Sequence, residues 1–121
     1  MGLPGHLKTG LRGEQLAARY LKNAGYTVIA ANFSNPFGET DLIARAPDGT
    51  VCFTEVKTRS DGAALPPSEA VDAGKRKRLE NSAAAYFRYT NTPQTPFRFD
   101  IIEIYLHGLD CADINHIENA F

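Results

Sequence analysis

The sequence predicts an α/β domain, a mixed β-sheet flanked by helices, with elements in the order α-β-β-β-α-β-β. Three observations carry that expectation. A helical repeat of apolar residues opens the chain, Pro47-Asp48-Gly49 joins two apolar-rich runs into a hairpin, and a helical stretch separates that hairpin from two further strands. A helical crossover between strands favours parallel pairing, so the sheet should be mixed.

The first helix is expected over Gly10 to Ala24, where Leu16, Ala17, Tyr20, Leu21 and Ala24 recur at helical spacing, with Thr9 as N-cap and Gly25 as stop. Residues 1–9 then form a flexible leader. Glu14 lies three before Ala17 and seven before Leu21, on the stripe that faces the core. Its plain reading is a first-turn carboxylate that favours the helix dipole.

Tyr26 to Phe33 is β-rich and ends at the breaker Asn35-Pro36-Phe37-Gly38. The hairpin follows, Glu39 to Ala46 against Thr50 to Lys57. In its turn, Pro presets φ, Asp tolerates the bend and Gly takes the positive φ. Counting back from Ala46 and Thr50 sets Ile43 opposite Phe53, Asp41 opposite Glu55 and Glu39 opposite Lys57. Directly opposed like charges destabilise a sheet. At about 5 Å and an effective dielectric of about 20, the repulsion is on the order of 3 kcal/mol. A divalent cation offsets such a cost, since magnesium takes one or two carboxylates and keeps waters in the rest of its shell. Lys57 projects from the same face, two residues past Glu55. A surface hairpin with an exposed Glu39–Lys57 ion pair, worth about 0–1 kcal/mol, is the plain alternative, and it gives no reason to set Asp41 against Glu55.

A loop from Arg59 to Pro67, rich in Gly, Ala and Pro, leads into a Ser68-capped helix running to about Tyr89, with Val71, Leu79, Ala83, Tyr86 and Phe87 on one side and Gly74 as a point of bending. This helix carries Lys75-Arg76-Lys77-Arg78, in which Lys75 leans toward the buried side while Arg76 and Lys77 point outward. Such runs are usually solvated faces; contact with nucleic-acid phosphates is the functional reading. Two more strands are expected, Phe97 to Leu106 and Asp113 to Glu118. Asp100 stands among apolar residues in the first of them, and without a strand order its role stays open.

At 121 residues the chain is one domain, large enough to bury a core without staples. With 43% hydrophobic and 22% charged residues and no apolar run of bilayer length, it reads as a soluble protein outside membranes. The opening residues lack the apolar stretch of a secretory signal, which predicts a cytoplasmic address. Cys52 and Cys111 have no CxxC spacing and are expected as buried thiols. The net charge of −1 conceals an asymmetry, +4 over residues 1–99 and −5 over residues 100–121. His6, His107 and His116 show no ligand or triad spacing, and no Walker-type loop, Rossmann fingerprint, nucleophile elbow or zinc motif is present.

Taken together, Gly13-Glu14, Ala17, Tyr20-Leu21, Gly25-Tyr26, Asn32, the run Gly38-Glu39-Thr40-Asp41-Leu42-Ile43-Ala44, Phe53, Glu55-Val56-Lys57 and Arg59 resemble the YraN family of bacterial proteins. That family is similar to the PD-(D/E)XK nuclease superfamily, notably archaeal Holliday-junction resolvases. The resemblance implies a single nuclease-like domain over residues 1–121 with a restriction-endonuclease-like core. It matches Asp41 to the first motif acid, Glu55 and Lys57 to the ExK pair, and Glu14 to the acid of the N-terminal helix. Thr40 stands where an apolar residue is usual, and strand alternation points it away from Asp41.

The expected function is a Mg²⁺- or Mn²⁺-dependent endonuclease acting on DNA, including branched DNA. Asp41 and Glu55, with Glu14, would hold the metal; Lys57 would serve the attacking water; Arg59, Lys75 and Arg78 would grip the backbone. A resolvase-like homodimer is an expectation from resemblance. The alternatives are a nucleic-acid-binding module that does not cut, and a protein-interaction scaffold docking through the acidic tail from Asp100 to Glu118.

Overall fold

The computed structural model describes residues 5–60, 73–92, 95–108 and 111–121. The elements follow the expected order: α1 (Gly5–Asn23), β1 (Thr27–Asn35), β2 (Gly38–Arg45), β3 (Val51–Ser60), α2 (Ala73–Tyr89), β4 (Phe97–His107) and β5 (Cys111–Ile117). The five strands form one mixed sheet in the order β1-β2-β3-β4-β5. β3 and β4, joined across α2, are parallel from Val51↔Phe97 to Ser60↔Leu106, and the other neighbours are antiparallel. This is the α/β layout of a restriction-endonuclease-like core.

Helix α1 begins earlier than its apolar spacing suggested, so Gly5 to Thr9, expected as leader, are helical, and Thr9 lies inside the helix instead of capping it. Leu7 and Leu11 extend the i, i+4 repeat backward, and Pro4, a residue type favoured at helix starts, precedes the first turn. The earlier start leaves no acid in the first turn, which removes the dipole explanation for Glu14. Gly25, at φ +91°, ends the helix, with the Tyr26 amide donating to the Leu21 carbonyl at 2.9 Å.

Strand alternation divides the core into two layers. On one face Ala17 and Leu21 of α1 pack with Leu42, Ala44, Ile102 and Ile104. On the other, Ala83, Tyr86 and Phe87 of α2 pack with Ile43, Phe53 and Phe99, and Phe53 and Tyr86 meet edge to face at 5.6 Å. β3 runs through Arg59 to Ser60, where a loop was expected, because β4 pairs with it along its whole length. Ser68 and Val71 lie outside the described residues. Gly74 falls at the start of α2, where no bend is needed.

The hairpin turn forms as its residues predict. Gly49 adopts φ +94°, the Ala46 amide donates to the Thr50 carbonyl at 2.8 Å, and Asp48 Oδ1 accepts from the Thr50 amide at 2.9 Å. Ile43 does pair with Phe53, but the β2–β3 ladder stops at Leu42↔Thr54. Asp41 and Glu55 are therefore not ladder partners, nor are Glu39 and Lys57. β2 instead continues its pairing with β1 to Gly38↔Asn35, while β3 stays with β4. The two strands thus part into a fork. On β1 the pairing shifts register between Val28 and Ala30, and Asn32 sits at φ +53°, so regular alternation does not hold along this edge.

Asp100 has a structural place. Its fully buried carboxylate accepts from Arg98 Nε at 3.0 Å and from the Asn119 amide at 3.0 Å, and it bonds His116 Nε2 at 2.8 Å. Being buried, it presents nothing to a docking partner, and the acidic tail offers less surface than its charge count implied. Cys52 is buried as expected, its thiol pushed up to about 11 chiefly by burial, whereas Cys111 is exposed at the start of edge strand β5. No helix among the described residues is long and apolar enough to cross a membrane.

Candidate functional site

The fork between β2 and β3 is the candidate site. One residue beyond the last rung, Asp41 turns its carboxylate across the gap, and Oδ2 accepts from the Val56 amide at 2.8 Å. A cleft of about 200 Å³ opens there, with Glu39, Asp41, Thr54, Glu55, Arg78 and Ser82 in its walls. Thr40 is buried and lines the same cleft. It keeps its regular pairing with Phe33 of β1, and alternation sets it with Leu42 and Ala44 on the α1 face while Asp41 follows Ile43 on the α2 face.

Helix α1 reaches the fork through Gly13. A Cβ at Gly13 would overlap the Thr58 hydroxyl, so only glycine lets the helix sit this close to β3. The next residue, Glu14, is half-buried near Asp41 and bonds the Asn32 side chain. The left-handed backbone at Asn32 accompanies that contact between β1 and α1.

Charge accumulates at this point. Burial pushes the Asp41 carboxyl up, against the pull of the Val56 amide, and the charges of Glu55 and Glu39 raise it further. Burial likewise raises Glu14, with the Asp41 charge adding to it against the Asn32 hydrogen bond. Each of these carboxylates disfavours ionisation of its neighbour, the condition that a bound cation would reverse.

Among the described residues, no three carboxylate, histidine or cysteine side chains converge tightly enough to hold a metal ion by themselves. Two features still suit a hard cation that keeps most of its waters. Asp41 Oδ1 is not the oxygen held by Val56, and the buried Thr54 hydroxyl in the cleft wall has no hydrogen-bond partner.

The other candidates are spread out. Arg78 stands in the cleft wall. Lys57 is half-buried two residues along β3 from Glu55, beside Glu103 of β4 and outside the residues that line the cleft. Arg59 is farther along the same strand, opposite Tyr105. Lys75 falls in α2, and its side chain lies outside the described residues.

With this geometry in hand, comparison with known proteins gives a consistent result. The model of an uncharacterised protein family, UPF0102, matches residues 13–104. The chain belongs to the UPF0102 family. It is 43% identical over 116 residues to a UPF0102 protein of Alkaliphilus oremlandii, covering 94% of this chain and 97% of that one. It is 44% identical over 114 residues to one of Caldanaerobacter subterraneus subsp. tengcongensis, covering 93% of each.

The UPF0102 match spans every element that builds the fork, from Gly13 to β4. Three contributors to this UPF0102 site escaped the sequence reading: the Val56 amide, the Thr54 hydroxyl and the Asn32 side chain. A backbone donor leaves no sequence signal. Asn32, an asparagine between Ala31 and Phe33 within β1, was a signal, since asparagine is enriched at positive φ.

Proposed function

We propose that this UPF0102 protein is a metal-dependent endonuclease that hydrolyses phosphodiester bonds in DNA. The observation that carries the proposal is the Asp41 carboxylate in the β2–β3 fork, within the field of Glu14, Glu39 and Glu55. A structural sheet gains nothing from collecting four acids at the point where its own ladder ends.

In this reading Asp41 and Glu55, with Glu14 behind them, would hold Mg²⁺ or Mn²⁺. The ion, when bound, polarises a phosphoryl oxygen and lowers the pKa of a bound water. Lys57, two residues along β3 from Glu55, would serve the attacking water and stabilise developing charge. Arg78 in the cleft wall neutralises the phosphate entering it, and Arg59 and Lys75 grip the strand on either side.

The test is cleavage of labelled linear, nicked and four-way-junction DNA with Mg²⁺ or Mn²⁺, against EDTA and an Asp41→Ala control, with binding read from the same samples. Metal-dependent cutting that the Asp41 variant loses is the expected result. Binding without cutting under every condition would replace this reading with that of a non-cleaving nucleic-acid-binding module, which the absence of a three-ligand cluster among the described residues favours.

A further inference from the structure

A second groove lies beside the fork. It has a volume of about 800 Å³ and runs between β1, the β1–β2 turn and the C-terminal half of α2. Phe37 belongs to the walls of both the cleft and the groove, so the two adjoin. The groove walls carry exposed aromatic rings. Tyr89 is 80% exposed and Phe37 43%, and Tyr89 leans on Phe33 with ring centroids 5.9 Å apart.

Helix α2 ties the two sites together. Arg78 and Ser82 face the acidic cleft, and Ala85 and Tyr89 face the groove. They follow one another at i, i+4, i+7 and i+11 along a single face of the helix. Arg78 and Tyr89 are therefore about 16 Å apart along the axis.

Resting on the nuclease reading above, we propose that the groove receives an unstacked base of a single-stranded segment, stacked on Tyr89, while the same strand's backbone passes Arg78 toward the fork. The chemistry of the groove selects this occupant. Among the described residues, its lining carries one charged side chain, the cation Arg88, and no acid. Arg76, Lys77 and Arg78 are exposed farther along the same helix. An exposed tyrosine framed by arginines suits a base and its phosphates, since base–aromatic stacking is sequence-tolerant and cations track the backbone. Bases inside an intact duplex present no free face to such a ring, so the preferred substrate has a single-stranded region or an end.

The test needs no catalysis. A short DNA strand with internal 2-aminopurine is titrated with protein in EDTA, alone and annealed to its complement, and both anisotropy and 2-aminopurine fluorescence are read. Tighter binding of the single strand, with quenching of the 2-aminopurine, is expected. Tyr89→Ala should weaken single-strand binding about 5- to 150-fold and abolish the quenching. Tyr89→Phe should keep both. Equal affinity of wild type and Tyr89→Ala for the single strand overturns the proposal. So does tighter binding of the duplex, or a Tyr89 effect confined to self-association through the β1 edge. Because metal is absent, a protein that never cleaves can still pass this test, and one that cleaves can fail it.

Discussion

The Asp41 carboxylate accepts a hydrogen bond from the Val56 amide at 2.8 Å, one residue past the last rung that joins β2 to β3. A side chain thus closes a backbone ladder that the strands themselves abandon. That bond keeps the carboxylate in place although burial and two neighbouring acids disfavour its charge.

Asp41→Asn keeps an acceptor for Val56 and removes the charge. The folded chain holds the Asp41 proton to higher pH than the unfolded chain does, so stability falls as pH rises through that interval. The variant should therefore melt higher than wild type at neutral pH, by about 4 °C for each kcal/mol relieved. The gain should vanish at acidic pH, where both carboxyls are protonated. Thermal melts across pH decide it, and an unchanged or lower melting temperature at neutral pH would contradict the charge clustering.

Lys57→Ala should reduce cleavage by about 10²-fold or more while sparing DNA binding. Paired cleavage and anisotropy measurements separate the two effects. Undiminished cutting would remove Lys57 from the mechanism.

Gly13→Ala forces a methyl into the Thr58 hydroxyl. Displacing α1 should cost about 1–3 kcal/mol in urea denaturation. Adding Thr58→Ala should recover part of the loss, a non-additivity expected only if these two groups collide.

Asp100→Asn leaves Arg98 and His116 beside a neutral group in the interior. Burial pushes Asp100 up, but the bonds from His116, Arg98 and the Asn119 amide outweigh it, so its carboxyl titrates below the ordinary range. Its stabilising effect is complete above that range and is lost as pH falls toward the folded value. The variant should lose about 3–5 kcal/mol at neutral pH, and the difference from wild type should narrow in acid. A variant as stable as wild type in urea at neutral pH would refute the assignment.

Much of this architecture is legible in the residues because local rules determine it. Pro47-Asp48-Gly49 dictates the hairpin and its Ile43↔Phe53 pairing, and a helical crossover dictates the parallel β3–β4 pair. The fork is illegible for a physical reason. Counting along a hairpin assumes that the ladder continues, whereas β2 and β3 separate beyond Leu42↔Thr54 while each keeps the pairing on its other edge, β2 with β1 and β3 with β4. Asp41 and Glu55 come near one another as the count suggested, but by way of a splayed gap. Asp100 could not be placed for a similar reason, since its partners His116 and Asn119 come from the final strand and the chain end.

The two helices pack on opposite faces of the sheet, yet Glu14 on one feels the charge of Asp41, which lines a cleft walled by Arg78 of the other. An intermediate that docks only one helix lacks either the Glu14 carboxylate near Asp41 or Arg78 in the cleft wall. The cleavage proposed for this fork should therefore appear only with the last cooperative step of refolding, after helical ellipticity has begun to return, which would make it a stricter reporter of the native state than circular dichroism.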